Sequence, residues 1–149
     1  MEMVLFIGIQ ASGKSTFYNE RFSATHTRVN LDTLKTRHRE KVLLRECLAA
    51  QRPFVVDNTN VTVAERLKYI AQAKAAGFKV VGYYFATRLK DALARNSLRQ
   101  GTERIPDLGV MGTSGRLEIP TRGEGFDCLY YVRPGPEKTF IVEEWRDEL

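Results

Sequence analysis

The sequence is poor in the residue types that would commit it to disulfide chemistry, to a bound metal cluster or to a bilayer. Its two cysteines, Cys47 and Cys128, lie far apart, with no CxxC pair and no histidine-rich stretch beside either. They are expected to be small core residues rather than disulfide partners or metal ligands. No apolar run approaches the ~20 residues needed to span a bilayer. No basic-then-apolar leader precedes the first apolar segment, so a cytosolic protein with no membrane partner is the expectation. Internal repeats and coiled-coil heptads are missing too, which excludes solenoids and long coiled coils. A chain of 149 residues buries one good core but not two, so a single domain over 1–149 is expected.

What the chain does have is positive charge. Its 23 Lys and Arg exceed its 18 Asp and Glu, for a formal net charge of +5 and a pI near 9.4. This surplus favours anionic partners, although nucleic acid, free nucleotides and plain solubility are all served by it.

The apolar run Met3-Val4-Leu5-Phe6-Ile7 reads as a buried strand, and Gly8-Ile9-Gln10-Ala11-Ser12-Gly13-Lys14-Ser15 follows it directly. That spacing fits G-x-x-x-x-G-K-[ST], a loop in which backbone N–H groups and a helix N-terminus converge on a polyphosphate. Gly8, Gln10, Ala11, Ser12, Gly13, Lys14, Ser15 and Thr16 are therefore the candidate nucleotide-binding residues. Lys14 is expected to reach the β- and γ-phosphates of ATP, and Ser15 to hold Mg²⁺.

Further along, the sequence predicts a helix from Lys14 to about Phe22, a short strand near Thr27–Asn30 and one long helix from about Asp32 to Gln51. In that helix Leu34, Val42, Leu43, Leu44 and Leu48 are apolar, with Lys35, Arg37, Arg39, Glu40 and Lys41 expected on the exposed face. Phe54-Val55-Val56 reads as a strand ending at Asp57. Thr62 or Thr59 is placed to cap a helix through Ala64, Leu67, Ile70 and Ala73, and Lys79–Phe85 as a fourth strand. Strands alternating with helices of about fifteen residues indicate an open α/β sheet of about five parallel strands flanked by helices, of the P-loop type. Ligands of such sheets lie beyond the carboxyl ends of the strands, the edge to which the phosphate loop, Asp32 and Asp57 are all assigned.

Periodicity fades between about 100 and 125, a stretch with repeated glycines, Pro106 and Pro120, and arginines at 104, 116 and 122. It is expected to bury little apolar surface and to form a mobile lid or a disordered connector. Cys128–Val132 returns as a fifth strand, and Thr139–Val142 as an edge strand or docked tail.

Phosphoryl transfer needs in-line positioning, neutralised phosphate charge and a base for the incoming hydroxyl. Asp32 is the candidate base, with a helix N-cap as the ordinary alternative. Asp57 is a candidate to bind Mg²⁺ through its hydration shell or to orient an arginine, and with Asn58 and Asn60 a candidate acceptor-side residue, against a simple turn-forming cluster. Arg95 and Arg99, four apart on a helix expected to start near Arg88, are candidates to grip the donor phosphates; solvated surface arginines are the alternative. Lys35, Arg37, His38, Arg39 and Lys41 would lie near the acceptor, or form only a solvated face. Aromatic residues are not interleaved with them, so any contact with a nucleic-acid strand would be mainly to its phosphates.

These residues together resemble the polynucleotide 5′-kinases, a family that includes the phage enzyme and the kinase domain of animal polynucleotide kinase-phosphatases. The similarity runs from Gly8 to about Phe126. It is carried by Val29-Asn30-Leu31-Asp32-Thr33-Leu34, Val56-Asp57-Asn58-Thr59-Asn60, Arg95-Asn96-Ser97-Leu98-Arg99 before Ile105-Pro106, and Glu118-Ile119-Pro120-Thr121 before Glu124-Gly125-Phe126. The resemblance implies transfer of the γ-phosphate of ATP to the 5′-hydroxyl end of DNA or RNA. It further implies Asp32 as the base, Lys14 and Ser15 at the donor phosphates, and Arg95 and Arg99 as lid arginines. One departure concerns the acceptor: Lys35 stands where the phage-type enzyme has an arginine three residues beyond its base, with Arg37 two further on. A kinase of a nucleoside, sugar or antibiotic, and a nucleotide-dependent switch without transfer chemistry, remain the alternatives.

Overall fold

Residues 1–147 are described by a computed structural model. Its first strand, β1 (Glu2–Ile7), is buried from Met3 onward, as a central strand covered on both faces must be. The helix α1 (Lys14–Arg21) follows the glycine-rich loop, then β2 (Thr27–Val29), α2 (Leu31–Leu34), α3 (Arg37–Ala49) and β3 (Phe54–Val56). After these come α4 (Val63–Ala75), β4 (Lys79–Phe85), α5 (Leu89–Ser97), α6 (Asp107–Arg116), β5 (Cys128–Pro134) and β6 (Phe140–Glu144).

The sheet order is β2-β3-β1-β4-β5-β6. Five strands are parallel, with Met3 opposite Phe54 and Val80 and with Val81 opposite Cys128; β6 runs antiparallel to β5, pairing Val132 with Val142. The sequence led us to expect about five strands, and the segment after residue 139 supplies the sixth as an edge.

Alternation along the strands divides the core. Met3, Leu5, Ile7 and Val56 face α3 and α4, meeting Leu44, Tyr69, Ile70 and Ala73. Val4, Phe6, Val55 and Phe85 face α1, where Phe17 and Phe22 pack edge-on against Phe6 at 5.8 Å between ring centroids. Each such side chain contributes about 1.5–3 kcal/mol when fully buried. Among the described residues no helix is long and apolar enough to cross a membrane.

Two expectations are corrected. The helix expected over 32–51 is two helices. Asn30 caps α2 by accepting from the Thr33 N–H at 3.0 Å; Lys35 leaves it at φ 75°; and Thr36 restarts the chain as α3 by accepting from the Arg39 N–H at 3.1 Å. Side-chain caps at both ends outweigh continuous periodicity here. Within α3, Glu40 is buried rather than exposed, while Val42 faces solvent.

The second correction concerns 100–125, which is folded. Asn96, fully buried, grips Ile105 through both backbone groups (Oδ1 from N–H at 3.0 Å, Nδ2 to carbonyl at 2.5 Å). The chain then enters α6, whose Val110 and Thr113 are buried. A side-chain amide from α5 thus supplies the ordering that the local composition withholds.

Candidate active site

The loop between β1 and α1 is shaped by two glycines. A Cβ on Gly8 would lie 3.0 Å from both Phe85 Cβ and Ser12 Oγ, and Gly13 sits at φ 96° with Phe140 of β6 packed against it. Only glycine takes both roles without strain. The Gly8 N–H donates to the Thr59 carbonyl at 3.0 Å, joining the loop to the segment after β3. Gly13 is the N-cap of α1 and offers no side chain, so the first N–H groups of the helix stay open to an anion.

Lys14 folds back across the loop, donating to the carbonyls of Gly8 (2.9 Å) and Ile9 (2.7 Å) and to Ser12 Oγ (3.3 Å). Burial pushes its ammonium down to about 8; Asp57 opposes the fall, Arg99 adds to it and Asp32 opposes it. Those three groups, remote in sequence, share one electrostatic neighbourhood with the lysine.

Asp32 lies in the first turn of α2, exposed, and the N-cap of that helix is Asn30 instead. Its carboxylate is thus spared the capping duty that was the ordinary alternative. Asp57 is 2% exposed and bonds Arg28 through Oδ2, at 2.8 Å to Nη2 and 2.9 Å to Nε. The same Nη2 donates to Ser15 Oγ at 2.9 Å, while Thr16 is exposed beside it. Ser15 and Asp57 offer a hydroxyl and a carboxylate around one point, a hard-oxygen pair that fits a Mg²⁺ drawing its remaining ligands from phosphate and water. Among the described residues no group of three or more His, Cys, Asp or Glu is arranged to hold a metal ion.

From α5, Arg95 Nη1 donates to the Ala11 carbonyl at 3.1 Å, and Gln10 Nε2 donates to Thr113 Oγ1 of α6 at 3.0 Å. Gln10 Oε1 is buried without a partner. Arg99 lies beyond the last residue of α5, not on the helix face expected for it, and touches the Glu103 carbonyl at 3.4 Å.

Lys35 is exposed, and Arg37 donates to Glu40 Oε1 (3.1 Å) and the Tyr69 hydroxyl (3.3 Å). Asn58 accepts from the Leu31 N–H (2.9 Å) and donates to Glu40 Oε2 (3.0 Å). Asn60 is buried and donates to the Phe6 carbonyl at 2.8 Å. Both asparagine side chains are thus engaged in hydrogen bonds within the protein. Tyr69 completes the network by donating to Glu40 at 2.8 Å; burial, then that bond, pushes its phenol up to about 12.

Arg28, Arg66 and Tyr69 escaped the sequence reading, which also put Glu40 on an exposed face. A charged residue in the middle of a three-residue strand is the signal that marked Arg28. The other three lie on helix faces whose burial depends on the opposing element.

The family model described as AAA domain matches residues 35–112. The chain is 28% identical over 131 residues to the bifunctional polynucleotide phosphatase/kinase of Schizosaccharomyces pombe, an alignment covering 84% of this chain and 32% of that protein. It thus spans about a third of the length of the curated relative it matches. Among solved structures, a gluconokinase from Sinorhizobium meliloti superposes with a TM-score of 0.60 at 19% identity, over 89% of this chain and 82% of that one. Kti12 from Chaetomium thermophilum in complex with ADP-AlF3 superposes at 0.63 and 17%, over 88% of each chain. The AvrRxo1-ORF1:-ORF2 complex with ATP does so at 0.72 and 15%, over 95% of this chain and 57% of that one.

Proposed function

The chain belongs to the AAA domain family and has the P-loop kinase fold, and from that premise we propose that it transfers the γ-phosphate of ATP to the 5′-hydroxyl end of a DNA or RNA strand. The observation that carries this reading is the loop between β1 and α1, where Gly13 leaves the first N–H groups of α1 open to an anion, Lys14 folds across the loop, and Arg28 links Ser15 to Asp57 at the end of β3. Asp32, in the first turn of α2 and spared from capping it, is the carboxylate assigned to the acceptor hydroxyl. The likeness to the fission-yeast phosphatase/kinase supports the nucleic-acid acceptor.

In this reading the loop amides and Lys14 hold the donor's β- and γ-phosphates, the ammonium exchanging its carbonyl partners for phosphate oxygens. Ser15 and Asp57 would hold Mg²⁺, which neutralises phosphate charge when bound. Asp32 accepts the proton of the acceptor hydroxyl as its oxygen bonds to the γ-phosphorus, and the bond to the β-phosphate oxygen breaks to release ADP. Arg95 and Arg99 neutralise charge on the transferring group. Lys35 and Arg37 steer the acceptor's phosphates. Residues 1–149 act as one kinase domain, with 100–125 as its lid.

The alternative acceptor is a small molecule such as a nucleoside or sugar, for which the donor site would be the same. An acceptor panel with labelled ATP, run on the native chain beside Lys14→Ala and Asp32→Ala, separates the two. Transfer to 5′-hydroxyl oligonucleotides, lost in both variants, is expected; strong transfer to a nucleoside or sugar with none to an oligonucleotide would reverse the order.

A further inference from the structure

Arg28 is the only charged residue of β2, and its guanidinium holds the two oxygens best suited to a divalent cation. Nη2 lies 2.9 Å from Ser15 Oγ and 2.8 Å from Asp57 Oδ2, and Nε reinforces the second contact at 2.9 Å. One nitrogen thus stands as the common hydrogen-bond donor of both oxygens. A hard cation binding the same hydroxyl and carboxylate would need the ground that nitrogen holds, because the guanidinium's positive charge and a divalent ion repel at such range.

Asp57 adds to the argument. Its carboxylate is 2% exposed, and a buried carboxylate requires a positive partner. Arg28 is the cation hydrogen-bonded to it. Its side chain is 32% exposed and lies over the Tyr18 ring, with Cζ 5.7 Å from the centroid, so it has an open side toward which to withdraw. Tyr18 in turn is anchored by its hydroxyl to the His26 carbonyl at 2.5 Å.

We infer that Arg28 competes with the divalent cation for Ser15 and Asp57, so that loading the donor site with metal requires the guanidinium to move off both oxygens. The inference rests on the donor-site reading above. Its consequence is that metal affinity in the nucleotide complex is set partly by Arg28, since the metal-competent arrangement is only a fraction of the total and apparent affinity falls by that fraction.

The test uses Mn²⁺ as the probe, with its free concentration read by electron paramagnetic resonance at saturating ADP, on the native chain, Arg28→Gln and Arg28→Lys. If the bridge is populated about nine-tenths of the time, Arg28→Gln binds Mn²⁺ about tenfold more tightly than native, with Arg28→Lys between them. ADP binding with unchanged or weaker Mn²⁺ affinity in Arg28→Gln overturns the competition while leaving the donor site standing. A native chain that takes up neither ADP nor Mn²⁺ removes the donor-site reading and the competition with it. Should the variants fold poorly, the native protein answers by nuclear magnetic resonance. Titrating Mg²⁺ into the ADP complex should speed water exchange of the Arg28 Nε proton several-fold, and unchanged protection would refute the displacement.

Discussion

Arg66 and Glu124 are joined side-on by two hydrogen bonds, Nε to Oε1 at 2.7 Å and Nη2 to Oε2 at 3.1 Å, with side chains 0% and 7% exposed. Arg66 also donates to the Asn60 carbonyl at 2.9 Å, and Glu124 accepts from the Thr121 N–H at 2.8 Å. The pair therefore fastens the end of the 100–125 segment to α4 and to the loop that carries Asp57.

Removing either partner leaves the other as an uncompensated buried charge. Arg66→Met or Glu124→Leu should each lower stability by about 3–5 kcal/mol, read as a fall of roughly 10 °C in melting temperature. The double variant should lose less than the sum of the two. Strict additivity would mean the pair is not coupled.

Asp32 has no cap to make, and it is exposed. Asp32→Asn should leave stability within about 0.5 kcal/mol while lowering kcat by about 10²–10⁴-fold. Nucleotide affinity, measured by calorimetry, should be retained. Turnover near the native value would take the base away from Asp32.

Lys14 titrates near 8 in the folded chain against a usual value of 10.5. Between those values the unfolded chain binds more protons, so stability rises with pH from about 8 to about 10.5, and this gain is absent below 8. Donor phosphates reverse the effect of burial and raise the pKa. Nucleotide binding at pH 9 should then take up protons, and binding at pH 7 should take up fewer. Calorimetry in buffers of different ionisation enthalpy measures this, and Lys14→Gln should abolish the uptake.

Glu40 accepts from Asn58, whose Oδ1 in turn accepts from the Leu31 N–H, one residue before Asp32 at the start of α2. Glu40→Ala should cost about 1–3 kcal/mol from the unsatisfied groups it leaves. It should also lower kcat with little change in nucleotide affinity, and Glu40→Gln, which keeps an acceptor for Tyr69, should recover part of both. An equal loss of donor affinity would place its effect elsewhere.

Lys35 stands exposed beside the proposed acceptor path. Oligonucleotide affinity should fall steeply between about 50 and 200 mM salt, and Lys35→Ala should reduce the slope of log affinity against log salt by about 0.7 for one lost phosphate contact. A flat salt response in the native chain would remove the phosphate-steering role.

The phosphate loop was legible because its chemistry is local. Gly8, Gly13 and Lys14 must occur at that spacing after a strand for amides, a helix terminus and an ammonium to converge. The buried runs 3–7, 54–56 and 79–85 were legible for a similar reason, since parallel strands covered on both faces must be continuously apolar. The break at Lys35 and Thr36 was hidden by a periodicity that runs through it, although Thr36 three residues before Arg39 was a cap signal in plain view.

Order in 100–125 could not be read from that stretch, because the groups that impose it, Asn96, Val61 and Arg66, lie outside it and bind Ile105, Glu118 and Glu124. Strand polarity, the buried nucleus and the residues of the loop follow from the order of side chains along the backbone, which local sterics and solvent exclusion act on directly. Which charges meet was decided only by packing: Arg28 reaches Ser15 and Asp57 because β2 pairs beside β3 and opposite α1. Electrostatic contacts depend on distance through space, and distance through space does not exist until the chain has folded.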